Sequence, residues 1–282
     1  MKTVVVSGAS SGIGKSIARQ MAESGWRVYA GVRSDDDAEQ LSQINKLIFP
    51  VNLDVTDRPA IENIEIIIRE SLRGRKLDGL VNNAGIAKPG PISLQSVETI
   101  RQHMEVNVMG AVNMMQIFAP LLGQDEGLAG QPGRIVNITS LGGQIPSPFI
   151  GAYTATKHAL ESLTDTVRME LKLFGIDAIT VGPGAVNTPI WQKALDQDQA
   201  PFEKTPFGAP MRQFLEEMAS AGENGLEPDE VAAAVHQALS SRFPKRRYTP
   251  APNKLTNYYL LKALPLRLKD KLLTSRFGLE RS

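Results

Sequence analysis

The composition of the chain excludes several classes of protein before any motif is considered. The 282 residues include 31 Lys+Arg and 30 Asp+Glu, and the resulting net charge of +1 gives no reason to expect a nucleic-acid partner. Cysteine is absent, which excludes disulfides and thiolate metal sites, and the three histidines lack metal-ligand spacing, so no metal site is predicted. The first predicted strand begins at Thr3 and no long apolar run occurs, so we expect a cytoplasmic protein without a signal peptide or transmembrane segment.

Predicted strands and helices alternate along the chain. Short apolar runs predict strands near 3–7, 26–32, 46–52, 78–82, 133–138 and 176–181. Helical patterns fill the intervals, notably 57–72, 93–122 and 152–174. This alternation predicts an α/β fold, in which a doubly wound parallel sheet carries helices on both faces and binds its ligand at the carboxyl ends of the strands.

A glycine-rich turn follows the first predicted strand. The run Thr3–Ser7 leads directly into Gly8-Ala9-Ser10-Ser11-Gly12-Ile13-Gly14, after which apolar residues recur at helical spacing. Glycines let the backbone turn tightly and approach a pyrophosphate, and the amino terminus of the helix offers free N–H groups and a positive dipole. The spacing G-x-x-x-G-x-G differs from the G-x-G-x-x-G fingerprint, yet its position between a strand and a helix predicts a phosphate-binding turn.

Tyr153 and Lys157 are four residues apart in a predicted helix, and Ser140 precedes the tyrosine by thirteen residues. Positions four apart lie on one helical face, so the lysine ammonium is expected beside the phenol. A tyrosine has a reference pKa of about 10, and a neighbouring cation lowers that pKa. The pattern therefore predicts a tyrosine that exchanges a proton near neutral pH, although this pair of residues alone also arises by chance.

Seven motifs in a fixed order resemble the short-chain dehydrogenase/reductase family, and the resemblance covers roughly residues 1–190. The motifs are Gly8, Gly12 and Gly14, Asp54-Val55, Asn82-Asn83-Ala84-Gly85, Asn107, Ser140, Tyr153 with Lys157, and Pro183-Gly184 with Thr188 beyond. The chain is identified as a member of this family. The resemblance implies one doubly wound Rossmann domain for dinucleotide binding and catalysis over residues 1–240, with 241–282 as its helical C-terminal extension.

The resemblance also assigns a catalytic set and a cofactor site. It implies that Ser140 hydrogen-bonds the substrate oxygen, that Tyr153 gives or takes the proton, and that Lys157 lowers the tyrosine pKa and binds the nicotinamide ribose. Asn107 is expected to hold a water that links Lys157 to solvent. In addition to Tyr153 and Lys157, the predicted cofactor contacts are Gly8, Ser10, Ser11, Gly12, Ile13, Gly14, Arg33, Asp54, Val55, Asn82, Ala84, Gly85, Pro183, Gly184, Val186 and Thr188.

The end of the second predicted strand bears on the choice of cofactor. Val32 stands where the family usually places an acid for the ribose 2′-hydroxyl, and the guanidinium of Arg33 can pair with a 2′-phosphate. These residues favour NADP(H). NAD(H) stays open, because Ser11 stands at a position that is often basic in NADP-dependent relatives, and Asp35-Asp36-Asp37 adds negative charge. The same acids also fit a helix start, with Ser34 as its cap.

The substrate is expected to be a small lipophilic molecule. Residues predicted to border its reacting carbon are Gly142, Gln144, Phe149, Ile190 and Trp191. A variable lid is expected over about 188–225, and its apolar residues fit either a pocket or plain core: Phe202, Phe207, Met211, Phe214 and Met218. The segment 186–191 and the long extension resemble the retinol and 17β-hydroxysteroid dehydrogenase branch, which implies a retinoid- or steroid-like alcohol, ketone or aldehyde. Two alternatives stay open: a reductase of another carbonyl class, such as 3-oxoacyl thioesters, and a non-catalytic dinucleotide sensor.

The C-terminal extension is strongly basic. Residues 241–282 hold eleven Lys/Arg against Asp270 and Glu280, a net charge of +9, so the rest of the chain carries about −8. An apolar stripe at helical spacing, interrupted by Pro265, comprises Leu260, Leu261, Leu264, Leu268 and Leu272. We expect the stripe to pack on the body or on a second subunit of a homo-dimer or homo-tetramer. Weak contact with an anionic membrane surface is the alternative.

Overall fold

A parallel sheet of seven strands forms the centre of the molecule. The structure, a computed structural model, describes residues 1–196, 198, 200–253 and 255–280. The strands are β1 (Thr3–Val6), β2 (Arg27–Val32), β3 (Ile48–Asn52), β4 (Gly79–Asn82), β5 (Arg134–Ile138), β6 (Asp177–Val181) and β7 (Arg247–Tyr248). They lie in the order β3-β2-β1-β4-β5-β6-β7, all parallel. The order reverses between β1 and β4, and sheets of this kind bind ligands at such a switch point. The predicted α/β fold is confirmed.

Helices pack on both faces of the sheet. They are α1 (Gly12–Glu23), α2 (Asp35–Ser42), α3 (Arg58–Leu72), α4 (Val97–Met104), α5 (Gly110–Ala119), α6 (Gly151–Glu170), α7 (Pro189–Leu195), α8 (Ala200–Glu203), α9 (Gly208–Glu223), α10 (Pro228–Ser240), α11 (Leu261–Ala263) and α12 (Leu266–Arg276). The helix predicted over 93–122 begins at Val97, because the hydroxyl of Ser96 caps it by accepting a hydrogen bond from the Thr99 N–H at 3.1 Å.

Two apolar layers sandwich the sheet. On one face α1 and α10 bury Ile17, Met21 and Val235 against the strands. On the other face α3 and α5 bury Ile61 and Phe118. Because a fully buried apolar side chain of this size contributes about 1.5–3 kcal/mol, these layers fix the sheet and with it the loops at the carboxyl ends of its strands.

The chain from Val97 to Gln124 forms one continuous helical stretch of 28 residues. In the described part of the chain it alone is long and apolar enough, at a hydropathy of 1.3, to cross a membrane by length and composition. The same properties belong to a core helix, and 61% of the apolar window is buried inside the protein. A π turn at Glu105–Met109 and another at Pro120–Gln124 interrupt its α-helical hydrogen bonding.

The lid has an apolar core of its own. Helices α7 and α9 bury Ala194, Met211, Phe214 and Met218 against Phe149. The lid residues that the sequence left open between pocket and core are therefore mainly core, and Phe207 packs against the edge of the same cluster. Phe149 adopts a left-handed backbone conformation, with φ of 64°, that a bulky residue holds only when its surroundings enforce it.

Two aromatic residues, rather than the leucine stripe, anchor the C-terminal extension. Phe277 is 5% exposed and lies 5.5 Å from the Phe214 ring, and the Tyr258 hydroxyl donates to Gln144 Oε1 at 2.5 Å. Leu260, Leu268 and Leu272 of the stripe are exposed and do not pack on the body, so their contact with a second subunit stays a prediction. Helical spacing identifies an apolar face but not what covers it, so the aromatic anchors were missed.

The seventh strand was not predicted from the sequence. β7 contains only Arg247 and Tyr248, which pair with Thr180 and Val181 of β6. A strand of two residues is too short to show the alternation of apolar and polar residues by which strands are recognised. Its strand conformation depends on pairing with β6. The strand joins the C-terminal extension to the β6 side of the sheet, and because β7 runs parallel its carboxyl end lies on the same side as the carboxyl ends that carry the predicted site.

Candidate active site

The glycine turn after β1 is shaped by close contacts. Gly8 and Gly12 have positive φ values of 64° and 52°, which glycine adopts at low cost. A Cβ on Gly8 would lie 2.8 Å from the Cα of Ala84, and one on Gly12 would lie 3.0 Å from Cγ2 of Thr188. A Cβ on Gly14 would overlap the Gly8 carbonyl oxygen. The turn therefore brings bare backbone to the start of α1, as pyrophosphate binding requires.

The carboxyl end of β4 holds that turn in place. Asn83 Nδ2 donates to the carbonyl oxygens of Ser7 and Gly8 at 3.0 and 2.8 Å, and the Ser7 hydroxyl accepts from the N–H groups of Asn83 and Ala84. Asn82 is buried, and its Nδ2 donates to Asn137 Oδ1 at 2.8 Å. Asn83 therefore supports the glycine turn, whereas Asn82 makes its hydrogen bond inside the sheet.

Arg33 and Asp54 stand at the ends of β2 and β3. Desolvation acts to raise the pKa of Asp54, but hydrogen bonds from Thr56 and the charge of Arg33 lower it more, so the net shift is downward. Ser34 accepts from the Asp37 N–H at 3.2 Å, which makes the acidic triplet the start of α2. Arg33 therefore contributes to the site. The three acids Asp35, Asp36 and Asp37 lie nearby because they form the first turn of α2, which Ser34 caps.

Ser140 and Tyr153 meet around a glycine. The backbone N–H of Gly142 donates to Ser140 Oγ at 3.0 Å, and a Cβ at Gly142 would lie 3.4 Å from that oxygen and 3.7 Å from Cε1 of Tyr153. Burial raises the pKa of Tyr153, and a hydrogen bond with Ser140 offsets part of that rise. The hydroxyl groups of Ser140 and Tyr153 are therefore close together, as the sequence predicted.

Lys157 is buried one helical turn beyond Tyr153. Its Nζ donates to the carbonyl oxygen of Ile138 at 2.9 Å. Burial lowers the pKa of Lys157 to about 8, and the negative charge of Glu161 opposes that shift. Desolvation, which a sequence does not reveal, is the largest cause of both pKa shifts, so the phenol is harder to ionise than its spacing from Lys157 suggested. The lowering of the tyrosine pKa by Lys157 stays a prediction.

Asn107 sits in the π turn of the long helix, where such irregularities often carry functional groups. Its Oδ1 accepts from the Ile86 N–H at 2.8 Å, and its Nδ2 donates to the Ile86 carbonyl and to Thr156 Oγ1 at 2.9 and 3.0 Å. A Cβ on Gly85 would lie 3.3 Å from Asn107 Oδ1 and 3.6 Å from Lys157 Nζ. Asn107 therefore ties the loop after β4 to α6, and its water-holding role stays a prediction.

One depression at the carboxyl ends of the strands gathers most of the predicted residues. The predicted site residues that line it are Gly8, Ser10, Ser11, Gly12, Ile13, Arg33, Asp54, Val55, Ala84, Gly85, Ser140, Tyr153, Lys157, Pro183, Gly184, Val186 and Thr188. Gly14, Asn82 and Asn107 are not part of this lining. The backbone of Gly14 packs closely against the Gly8 carbonyl, and the side chains of Asn82 and Asn107 make hydrogen bonds in the layer around the depression.

The substrate border was predicted less well than the cofactor site. Ile190 and Trp191 line the depression, whereas Gly142, Gln144 and Phe149 do not. Residues that line it without having been predicted include Ile86, Ala87, Val106, Thr139, Pro189 and Lys193. Several of them follow a recognised motif directly, so extending each motif by two residues would have found them.

Comparisons with known proteins agree with this geometry. A family model described as short chain dehydrogenase matches residues 2–199. The chain belongs to the short-chain dehydrogenase/reductase family. The prediction that this dehydrogenase is an NAD(P)-dependent oxidoreductase is thereby confirmed.

Similar proteins match nearly the whole length of the dehydrogenase. An NADPH-dependent 3-dehydrocapnine reductase from Ornithobacterium rhinotracheale is 34% identical over 277 residues, 96% of each chain. A 17-beta-hydroxysteroid dehydrogenase type 6 from Bos taurus is 32% identical, over 97% of this chain and 88% of that protein. The solved structure of a short-chain dehydrogenase from Streptomyces avermitilis superimposes with a TM-score of 0.76 at 26% identity, over 99% of this chain and 98% of that one.

The site of this dehydrogenase fits a dinucleotide. The space beside Gly8 and Gly12 is one that a Cβ would fill, so backbone N–H groups stay open to a pyrophosphate at the start of α1. Ser140, Tyr153 and Lys157 line the same depression beyond that cradle. A nucleotide held by the turn would therefore extend toward these three side chains.

Proposed function

We propose that this dehydrogenase transfers a hydride between NADP(H) and a lipophilic secondary alcohol, ketone or aldehyde, retinoid- or steroid-like, with Tyr153 as general acid and base. The observation that carries the proposal is that Ser140, Tyr153 and Lys157 line one depression together with the glycine turn. A protein that only senses a dinucleotide has no need of a buried lysine beside a tyrosine, since burying an ammonium is costly.

Apolar residues in the lining of the depression support a lipophilic substrate. Ala87, Ile190 and Trp191 belong to this lining, and the indole N–H of Trp191 is already satisfied because it donates to the Val186 carbonyl at 2.7 Å. Apolar wall residues favour a substrate that gains by leaving water. One relative named as a hydroxysteroid dehydrogenase is in agreement with this substrate class.

Each residue of the catalytic set has its own role in the proposed reaction. When bound, the nicotinamide supplies or accepts the hydride. In carbonyl reduction the Ser140 hydroxyl hydrogen-bonds the substrate oxygen, and Tyr153 Oη donates the proton to that oxygen as negative charge develops on it. Lys157 holds positive charge near the phenol, and Asn107 positions the loop after β4 against the helix that carries both residues. Oxidation of the alcohol uses the same groups in reverse.

NADP(H) is the preferred cofactor, and NAD(H) is accepted less well. The exposed Arg33 guanidinium lines the depression directly after β2, where a 2′-phosphate would lie, and Val32 supplies no carboxylate to repel it. The relative named as NADPH-dependent agrees with this preference.

We further propose a homo-dimer or homo-tetramer. Exposed apolar side chains occur on the long helix, on α6 and in the turn directly after α6, namely Val97, Met104, Met109, Met169 and Leu173. Such surface is costly in water and typical of a subunit contact. Light scattering coupled to size-exclusion chromatography measures the mass directly, and a monomer at micromolar concentration would refute this assignment.

A substrate panel tests the proposed chemistry. The purified protein is assayed with NADPH and with NADH on retinal, steroid ketones, aliphatic ketones and acetoacetyl thioesters, and oxidation of cofactor is followed by absorbance. We expect the highest kcat/KM with NADPH and a bulky apolar carbonyl. Preference for the thioester would support the other carbonyl class, and no turnover on any substrate, with intact dinucleotide binding, would favour a sensor.

A further inference from the structure

A carboxylate that the proposed mechanism does not use lies one turn beyond Lys157 on α6. The side chain of Glu161 is 14% exposed and is held from several sides. Its Oε1 accepts from the Thr139 hydroxyl at 2.5 Å, and its Oε2 pairs with Nη1 of Arg247 and accepts from Gln144 Nε2 at 3.4 Å. A glutamate this enclosed and this fully hydrogen-bonded has one orientation, so its charge is fixed in space.

The partners of Glu161 connect it directly to the reacting groups. Thr139 stands between Ile138, whose carbonyl oxygen accepts from Lys157 Nζ at 2.9 Å, and Ser140. By holding the Thr139 hydroxyl, the Glu161 carboxylate fixes the end of β5 at the point where both neighbours serve the site. A shift of this strand end would move the Ser140 hydroxyl and the acceptor of the lysine together.

Two glycines make room for this arrangement. A Cβ on Gly182 would overlap Nη2 of Arg247 and lie 3.0 Å from the Thr139 hydroxyl oxygen. A Cβ on Gly143 would lie 2.9 Å from the Lys157 carbonyl oxygen and 3.0 Å from Cγ of Glu161. Strand β7 delivers Arg247 into the space left at the carboxyl end of β6. The seventh strand therefore positions Arg247 as the counter-charge of Glu161.

The charge of Glu161 also acts on Lys157. Burial lowers the pKa of Lys157 to about 8, and Glu161 raises it against that trend. The other titratable groups that face this region in the described part of the chain are Tyr153 on the same helix, Arg247 on β7, and Tyr258 and Lys262, which both bond Gln144 Oε1, at 2.5 and 2.6 Å. Among these groups Glu161 alone brings a negative charge while the tyrosines are protonated, so it is the group that favours the ammonium form of Lys157.

We propose that Glu161 is a positioning residue of the reaction, which holds the end of β5 through Thr139 and keeps Lys157 in its ammonium form, with Arg247 of β7 locking the carboxylate in place. This inference rests on the proposed roles of Tyr153 and Lys157. The first of its two parts is geometric and the second is electrostatic, so different substitutions separate them.

Three variants test the proposal against the parent. Glu161→Gln keeps the shape and the hydrogen-bond acceptor but removes the charge, and Glu161→Asp keeps the charge on a shorter side chain. Glu65→Gln is the matched control, because Glu65 is 12% exposed and pairs with Arg69 on α3, away from the depression. The charge state of Lys157 is read in the cofactor-free protein by competitive acetylation with trace acetic anhydride across pH, followed by peptide mass spectrometry.

The charge variant should change the titration of Lys157. In the parent and in Glu65→Gln we expect a midpoint at about 8. In Glu161→Gln we expect a midpoint lower by about one pH unit, the scale on which one nearby opposite charge shifts a pKa. Glu161→Asp should stay close to the parent. Superimposable titrations of the parent and Glu161→Gln would overturn the electrostatic part, whatever the change in melting temperature.

Kinetics test the same point in the working enzyme. In the proposed mechanism carbonyl reduction needs the charge of Lys157, and loss of the neighbouring anion makes Lys157 lose its proton at lower pH. The alkaline limb of kcat/KM for carbonyl reduction should therefore move to lower pH in Glu161→Gln only. Glu161→Asp should keep the limb but lose kcat, because the shorter side chain no longer fixes Thr139, and an unchanged kcat would overturn the geometric part. Tyr153→Phe is assayed alongside: full activity there would refute the proposed mechanism, whereas inactivity there with an unaltered Glu161→Gln would refute only the role of Glu161.

Discussion

The ammonium nitrogen of Lys157 lies 5.6 Å from the centre of the Tyr153 ring, with both residues on the inner side of α6. Nζ makes its hydrogen bond with the Ile138 carbonyl at 2.9 Å, so in the proposed mechanism the lysine serves the phenol through its charge and not through a direct hydrogen bond. The effect of Lys157 on proton transfer therefore depends on how much of the lysine is charged. The charged fraction of Lys157 changes with pH not far above neutrality, because burial lowers the pKa of Lys157 to about 8.

Removing the phenol tests the catalytic assignment. Tyr153→Phe keeps the ring and deletes the proton donor, so kcat should fall by at least about 10²-fold, the scale of general acid–base catalysis, while dinucleotide binding is kept. Steady-state kinetics and fluorescence titration with NADPH measure the two quantities. Tyr29→Phe is the control, because it also removes a phenolic hydroxyl, one that donates to Ser71 at 2.6 Å and lies outside the depression. Near-normal turnover of Tyr153→Phe would show that another group transfers the proton.

Lys157 should carry a stability cost that depends on pH. Its pKa falls from 10.5 to about 8 on folding, which at about 1.36 kcal/mol per unit amounts to about 3 kcal/mol. Below pH 8 the folded protein bears the full cost of a buried ammonium. Between pH 8 and 10.5 the unfolded chain binds a proton that the folded chain lacks, so the cost fades as pH rises.

The variant Lys157→Met should therefore be more stable than the parent at pH 7, and its advantage should shrink toward pH 10. Denaturant unfolding followed by circular dichroism at several pH values measures both. Lys172→Met, which changes an exposed lysine, should show no such pH dependence. A parent that is more stable than Lys157→Met at pH 7 would mean that the hydrogen bond to Ile138 outweighs desolvation.

Arg33 should discriminate between the two dinucleotides. Arg33→Ala removes a charged partner of the 2′-phosphate and should weaken NADPH by about 1–3 kcal/mol, while leaving NADH nearly unchanged. The comparison needs kcat/KM for both cofactors in both proteins. Arg101→Ala, at an exposed arginine on α4, should alter neither. Equal losses with NADH and NADPH would assign Arg33 a general electrostatic role instead.

Phe277 should contribute more to stability than any leucine of the exposed stripe. Phe277→Ala opens a cavity beside Phe149 and Phe214 and should cost about 3 kcal/mol, the lower end for a buried phenylalanine. Leu268→Ala changes a side chain that is 55% exposed and should stay within about 0.5 kcal/mol. Equal losses in the two variants would show that the stripe is covered in solution, by a second subunit or otherwise.

The sheet and the cofactor turn could be predicted because their signals are local. Each of the six predicted strands lies within two residues of an observed one, since a buried parallel strand reads as an apolar run bounded by turns. Gly8, Ser140 and Tyr153 were found in the same way, from short motifs that end strands or start helices. Most of the predicted site residues consequently meet in one depression.

The parts that were missed depend on contacts between distant segments. β7 pairs with β6 across a gap of more than sixty residues of sequence, and Arg247 meets Glu161 across 86 residues. The pKa of Lys157 depends on burial by neighbours from other elements, which spacing along one helix does not reveal. The tail shows the same limit, because Phe277 finds its partners in the lid rather than in its own helix.

The π turn that carries Asn107 makes the length of the long helix unusually constrained. A π turn contains one residue more than an α-helical turn, and each residue of an α-helix rotates the chain by about 100°. Deleting one residue between Glu105 and Met109 would restore a regular α-helix. Asn107 would then be rotated about the helix axis relative to Met114 and Phe118, which face the core. Single-residue deletions there should therefore be tolerated less well than apolar substitutions, and drift of this segment during evolution should proceed by exchange of side chains at constant length.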